Sequence, residues 1–157
     1  MIKQTLAIAL ASVGLTALAA SIGQAQQCTP LQVVGTNQTS ITKTVSPAAP
    51  IALPGIRTNW NTDFAVNGPY RSYKLFFTAD STASGTYPVE AFLKFTDGSN
   101  LRVVQESMTP PIGKGRMFGP FTAPQGKTVS QINFKIGTGS DPNSTGFSYR
   151  ISVQGCN

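Results

Sequence analysis

Two stretches near the C-terminus alternate apolar and polar side chains one for one, and this alternation constrains the fold more than any other feature. Phe147, Tyr149, Ile151 and Val153 interleave with Ser148, Arg150, Ser152 and Gln154. Ile132, Phe134 and Ile136 interleave with Gln131, Asn133 and Lys135. A period of two sends alternate side chains to opposite faces of an extended chain, so both stretches read as half-buried β-strands. Gly137 to Gly146, rich in Gly, Ser, Asn and Asp with one Pro, reads as the loop between them. Further strands are expected at Leu31–Val34, Ser40–Val45, Ser72–Thr78, Val89–Phe95, Leu101–Gln105 and Met117–Thr122. Beyond the N-terminal leader no window carries an apolar stripe of helical period. The chain therefore reads as all-β. The expected architecture is a single antiparallel β-sandwich of about eight strands, jelly-roll-like or immunoglobulin-like.

The first 25 residues read as an export signal. Lys3 supplies a positive start, an Ala- and Leu-rich apolar stretch runs from Thr5 to Ile22, and Gly23-Gln24-Ala25 offers small residues where a signal peptidase cuts. A stretch of this length would barely span a bilayer. Lipidation at Cys28 fits poorly, because Gln26 and Gln27 precede it where small or apolar residues are needed. The expected division is a signal peptide at 1–25 and one domain at 26–157, secreted or periplasmic. The short leader with its single lysine has a bacterial character. No transmembrane segment is expected in the mature chain. With Lys3 removed, the domain carries 11 basic against 6 acidic residues, a net +5.

Composition excludes several chemistries. There is no histidine, so no Ser-His-Asp triad, Cys-His pair or imidazole ligand can form. Two cysteines cannot build a four-thiolate zinc site. In an exported protein they read instead as a disulfide between Cys28 and Cys156, closing nearly the whole mature chain. Such a bridge puts the first and last strands side by side and stabilises by about 4–5 kcal/mol in the chain-entropy account. No cofactor and no resident metal are expected. Asp97-Gly-Ser-Asn100 and Asp141-Pro-Asn143 offer oxygen ligands for calcium, but turn chemistry accounts for them.

The register of one hairpin can be worked out. Taking Asp97-Gly98-Ser99 as a three-residue loop puts Phe95 opposite Leu101 and Leu93 opposite Val103. It also sets Glu90 opposite Glu106, Phe92 opposite Val104 and Lys94 opposite Arg102. The two glutamates would then resemble the spacing of a glycosidase pair. An exposed sheet face is not a cleft, so no catalytic residue is assigned and the protein is expected not to be an enzyme.

Binding features are more promising. Trp60, the single tryptophan, sits among Arg57, Asn59, Asn61 and Asp63. An aromatic ring with polar neighbours suits stacking on a sugar. The polar faces of the last two strands carry Asn133, Lys135 and Arg150, which as neighbours would form a strip fitted to an acidic polysaccharide. Lys114-Gly-Arg116 is a basic turn but lacks the P-loop pattern. No basic cluster or nucleic-acid module is present, so nucleic acid is not an expected partner. The segment Arg150-Ile-Ser-Val-Gln-Gly-Cys156, with a partner cysteine near the mature start, resembles discoidin-type jelly rolls. That resemblance implies tied termini and loops that bind glycans or lipids. The expected function is non-enzymatic binding of polysaccharide or another anionic envelope component. The alternative is a structural or assembly subunit of the envelope or a surface appendage, burying residues such as Phe92 and Val104 against another chain. Oligomeric state is left open.

Overall fold

The computed structural model describes residues 26–45, 61–137 and 146–157. The expected signal peptide, and Arg57, Asn59 and Trp60, lie outside the described residues. Among the described residues there are nine strands and no helix, so none is long and apolar enough to cross a membrane.

The strands are β1 (Cys28–Pro30), β2 (Ser40–Thr44), β3 (Asn61–Ala65), β4 (Ser72–Ala79) and β5 (Tyr87–Phe95), followed by β6 (Asn100–Met108), β7 (Gly115–Phe121), β8 (Val129–Ile136) and β9 (Ser148–Cys156). They form two antiparallel sheets. In the first, β1 and β2 both pair with one side of β9, then β4 and β7 follow. The second runs β3-β8-β5-β6. The pairings are nested: β2 with β9, β3 with β8, β4 with β7, and β5 with β6.

Alternation builds the core. Tyr87, Val89, Ala91, Leu93 and Phe95 of β5 are buried, while Pro88, Glu90, Phe92 and Lys94 between them are half-buried. Tyr73, Leu75 and Phe77 of β4 and Tyr149, Ile151 and Val153 of β9 supply the facing layer. Aromatic rings bridge the sheets, with Phe77 against Tyr87 at 5.0 Å and Phe118 against Phe134 at 6.4 Å between centroids. Each fully buried large apolar side chain contributes about 1.5–3 kcal/mol, so this interior carries the stability of the domain. A disulfide joins Cys28 to Cys156 across β1 and β9 and ties the described ends together.

Four local expectations need correction. Residues 31–34 are not a regular strand. They cross from one sheet to the other: Leu31 N–H donates to Val153 O (2.9 Å), and Val34 N–H to Asp63 O (2.9 Å). Leu31 and Val33 still point inward and are buried, which is why they read as a strand. Conversely, β3 is absent from the strands expected from the sequence. Its inward residues are Thr62 and Phe64, both buried, and a polar Thr at an inward position hides the alternation.

The β5–β6 register also differs. Phe95 N–H donates to Ser99 O (2.9 Å), so the three-residue loop is Thr96-Asp97-Gly98. Gly98 has φ +81°, and this loop type requires its last residue to be left-handed. The glycine therefore closes the loop rather than occupying its middle. That loop places Phe92 opposite Arg102, and a bulge between Ala91 and Phe92 then shifts the register again, placing Ala91 opposite Val104 and Glu90 opposite Gln105. Val104 is consequently buried in the core rather than exposed beside Phe92. Glu106 lies opposite Val89 and binds Arg116 (2.7 Å), so it forms no pair with Glu90.

Finally, β8 and β9 are not neighbours. They lie in different sheets, because each needs a cover for its apolar face and the two faces meet across the core.

Candidate functional site

The outer face of the second sheet collects polar residues from all four of its strands. Register sets them in rows. One row reads Asn61, Lys135, Glu90, Gln105; the next reads Asp63, Asn133, Phe92, Arg102; the third reads Ala65, Gln131, Lys94, Asn100. Three residues expected from the sequence, Asn61, Asn133 and Lys135, thus lie together. Arg150 lies on the outer face of the other sheet, between Thr42 and Thr78, with Asp80 at 3.5 Å. The expected continuous strip of Asn133, Lys135 and Arg150 is therefore split between opposite faces of the molecule.

Long side chains on this face are tied to one another. Asp63 Oδ1 accepts from Lys94 Nζ (2.8 Å) and from Asn133 Nδ2 (2.9 Å). Glu90 accepts from Lys135 Nζ (2.6 Å) and Arg102 Nη1 (3.1 Å). The Lys135 hydrogen bond, with Arg102 behind it, outweighs burial and holds the Glu90 carboxyl below the usual carboxylate range. Lys43 of β2 donates to the backbone carbonyl of Asn61 (2.9 Å). Burial lowers the Lys43 pKa, and the Asp63 charge partly offsets that effect. Partly exposed ion pairs of this kind contribute only about 0.2–1 kcal/mol each. Their main consequence is positional, because they remove the freedom of side chains that would otherwise sweep the surface.

At the centre stands Phe92, the aromatic residue of these rows. Alternation along β5 turns it outward, and the ring is half-buried between Asn133 and Arg102. With Asn61, Asp63, Lys94, Asn100 and Asn133 it lines a hollow of about 440 Å³. Such a hollow offers one apolar surface surrounded by amides, a carboxylate and an ammonium group.

Sequence reasoning placed Asp63 beside Trp60 but missed Phe92 and Lys94 as parts of a site. The outward direction of Phe92 and Lys94 was legible from alternation, but their neighbours across β8 were not. Other motifs are committed to the fold. Arg116 binds Glu106 and lies over the Phe118 ring at 5.2 Å, so it links the edge strands of the two sheets. Asp97 accepts from the backbone N–H and hydroxyl of Ser99 and from Lys127. Asp141 and Asn143 lie outside the described residues, and among the described residues no three His, Cys, Asp or Glu gather as metal ligands. Comparison of the chain with protein families, curated proteins and solved structures finds no match.

Proposed function

We propose that this is an exported, non-enzymatic protein that binds polysaccharide on the outer face of the second sheet. The single observation that carries the reading is the hollow around Phe92, where an outward aromatic ring is framed by amide, carboxylate and ammonium groups. A sugar ring offers an apolar C–H face and a rim of hydroxyls, and the hollow offers a counterpart to each. The nested strand pairing supports a jelly roll over an immunoglobulin-like sandwich, since that fold is a long hairpin of paired strands wrapped into two sheets.

Affinity electrophoresis through polysaccharide gels tests the reading, with Phe92→Ala beside Phe76→Ala. Phe76 projects from the outer face of the other sheet, paired with Met117 and Ser152. The expected result is retardation weakened at least about tenfold by Phe92→Ala, about 1.4 kcal/mol, and unchanged by Phe76→Ala. Equal retardation of the wild type and Phe92→Ala would refute this site.

A second reading, a subunit of an envelope or appendage assembly, rests on that other face. Phe76 of β4 and Met117 of the edge strand β7 sit side by side there, and Met117 is 49% exposed. Burial of such a pair against another chain predicts stable oligomers in sedimentation that Met117→Lys disperses.

A further inference from the structure

The charge of the chain and the charge of the hollow point to different ligands. The whole sequence carries +6, which by itself suggests an anionic partner. The formal charges lining the hollow are Asp63 and Lys94, which cancel and are bonded to each other. Beside it, Lys135 and Arg102 both bind Glu90. No cation that lines the hollow stands apart from a carboxylate among the described residues.

We infer that the hollow takes uncharged polysaccharide, gripping adjacent hydroxyls with the Asp63–Lys94 pair while the sugar ring rests on Phe92. This rests on the glycan reading above and narrows its ligand class. The hydrogen-bond inventory supports it. A carboxylate has about four acceptor sites, and Asp63 uses two of them, both on Oδ1. An ammonium has three donors, and Lys94 gives one to Asp63. A pair of sugar hydroxyls can donate to Asp63 and accept from Lys94 without disturbing the ion pair. The amides of Asn61 and Asn100 lie beside them and add donors and acceptors. A uronate would instead bring its carboxylate against Asp63. Even where it accepted from a remaining Lys94 donor, two carboxylates would share one ammonium, a repulsion that neutral hydroxyls do not bring.

The experiment compares the purified protein in gels containing a neutral glucan, a neutral mannan or a polyuronate, at low salt and at about 0.5 M salt, where the screening length is about 4 Å. Phe92→Ala, Lys94→Gln and Asn100→Ala are run alongside, with circular dichroism confirming the fold. Asn100 is exposed, so its variant keeps the test valid if Lys94→Gln fails to fold. Support would be neutral-glycan retardation that persists in high salt and falls at least about fivefold in each variant. Any polyuronate retardation should disappear in high salt and be equal in the wild type and Phe92→Ala. Polyuronate retardation that survives high salt and is lost in Phe92→Ala would overturn the inference while leaving the glycan reading standing. No retardation in any gel would overturn the glycan reading, and this inference with it.

Discussion

Tyr87 and Tyr149 are both fully buried, yet their hydroxyls differ in a way that stability can report. Tyr87 Oη donates to Ser148 O at 3.0 Å. Tyr149 stacks on Phe77 at 5.8 Å, and its hydroxyl has no hydrogen-bond partner among the described residues. Losing a satisfied hydrogen bond costs about 1 kcal/mol, whereas losing an unsatisfied buried hydroxyl costs nothing or is favourable. Tyr87→Phe is therefore expected to destabilise by about 1 kcal/mol, and Tyr149→Phe to be neutral or stabilising by up to about 1 kcal/mol. Urea unfolding at neutral pH measures both. Burial also raises the Tyr149 pKa well above the ordinary tyrosine value. The folded state thus keeps it protonated after the unfolded chain begins to ionise near pH ~10. The associated stability is complete below that pH and is lost as pH rises toward the folded value. Tyr149→Phe should flatten the alkaline limb of the stability profile. The inward direction of both tyrosines was legible in the alternation, but nothing local showed which hydroxyl would find a partner.

Among elements, the β5–β6 hairpin decides most about the site. Its loop closes on Gly98 in the left-handed region, with open space where a Cβ would sit. The cost of a side chain there is conformational rather than steric crowding by neighbours. Gly98→Ala should destabilise by about 1–2 kcal/mol, and Gly98→Asn by less, because asparagine tolerates that conformation. Thermal unfolding of the pair checks this. The hairpin itself was legible from Asp97-Gly98 between two apolar-alternating runs. Its register was not, for two reasons. The choice of loop residues turns on which position must be left-handed, and the bulge beside Phe92 adds a residue that no local pattern announces. Those shifts bury Val104 and separate Glu90 from Glu106.

At the scale of the whole molecule, one covalent bond closes the nested sheets. Cys28 and Cys156 are 128 residues apart, and the chain-entropy account gives about 5 kcal/mol for a loop of that size. Cys28→Ser/Cys156→Ser, or reduction, is expected to lower stability by about 3–5 kcal/mol and to loosen β1 from β9 first. Urea titration with and without reductant gives the magnitude, and hydrogen exchange of the terminal strands gives the order. Gly155 marks how closely this end is packed, since a Cβ there would lie 2.4 Å from the Tyr70 ring.

The sequence by itself determined the class and the closure of this protein. Which way a side chain points along an extended backbone is a local property with a period of two, so the buried and exposed sets of β5, β8 and β9 could be assigned strand by strand, while Thr62 in β3 and the bulge in β6 broke the pattern. With two cysteines in the chain, one intramolecular pairing was available, and the structure forms it. Only the tertiary structure decided which polar faces meet. Strand pairing joins segments far apart in the chain, and its choice depends on how two apolar faces cover each other rather than on any one strand. That choice sent β8 and β9 to opposite sheets, separated Arg150 from Asn133, and brought Asp63, Phe92 and Lys94 into one hollow.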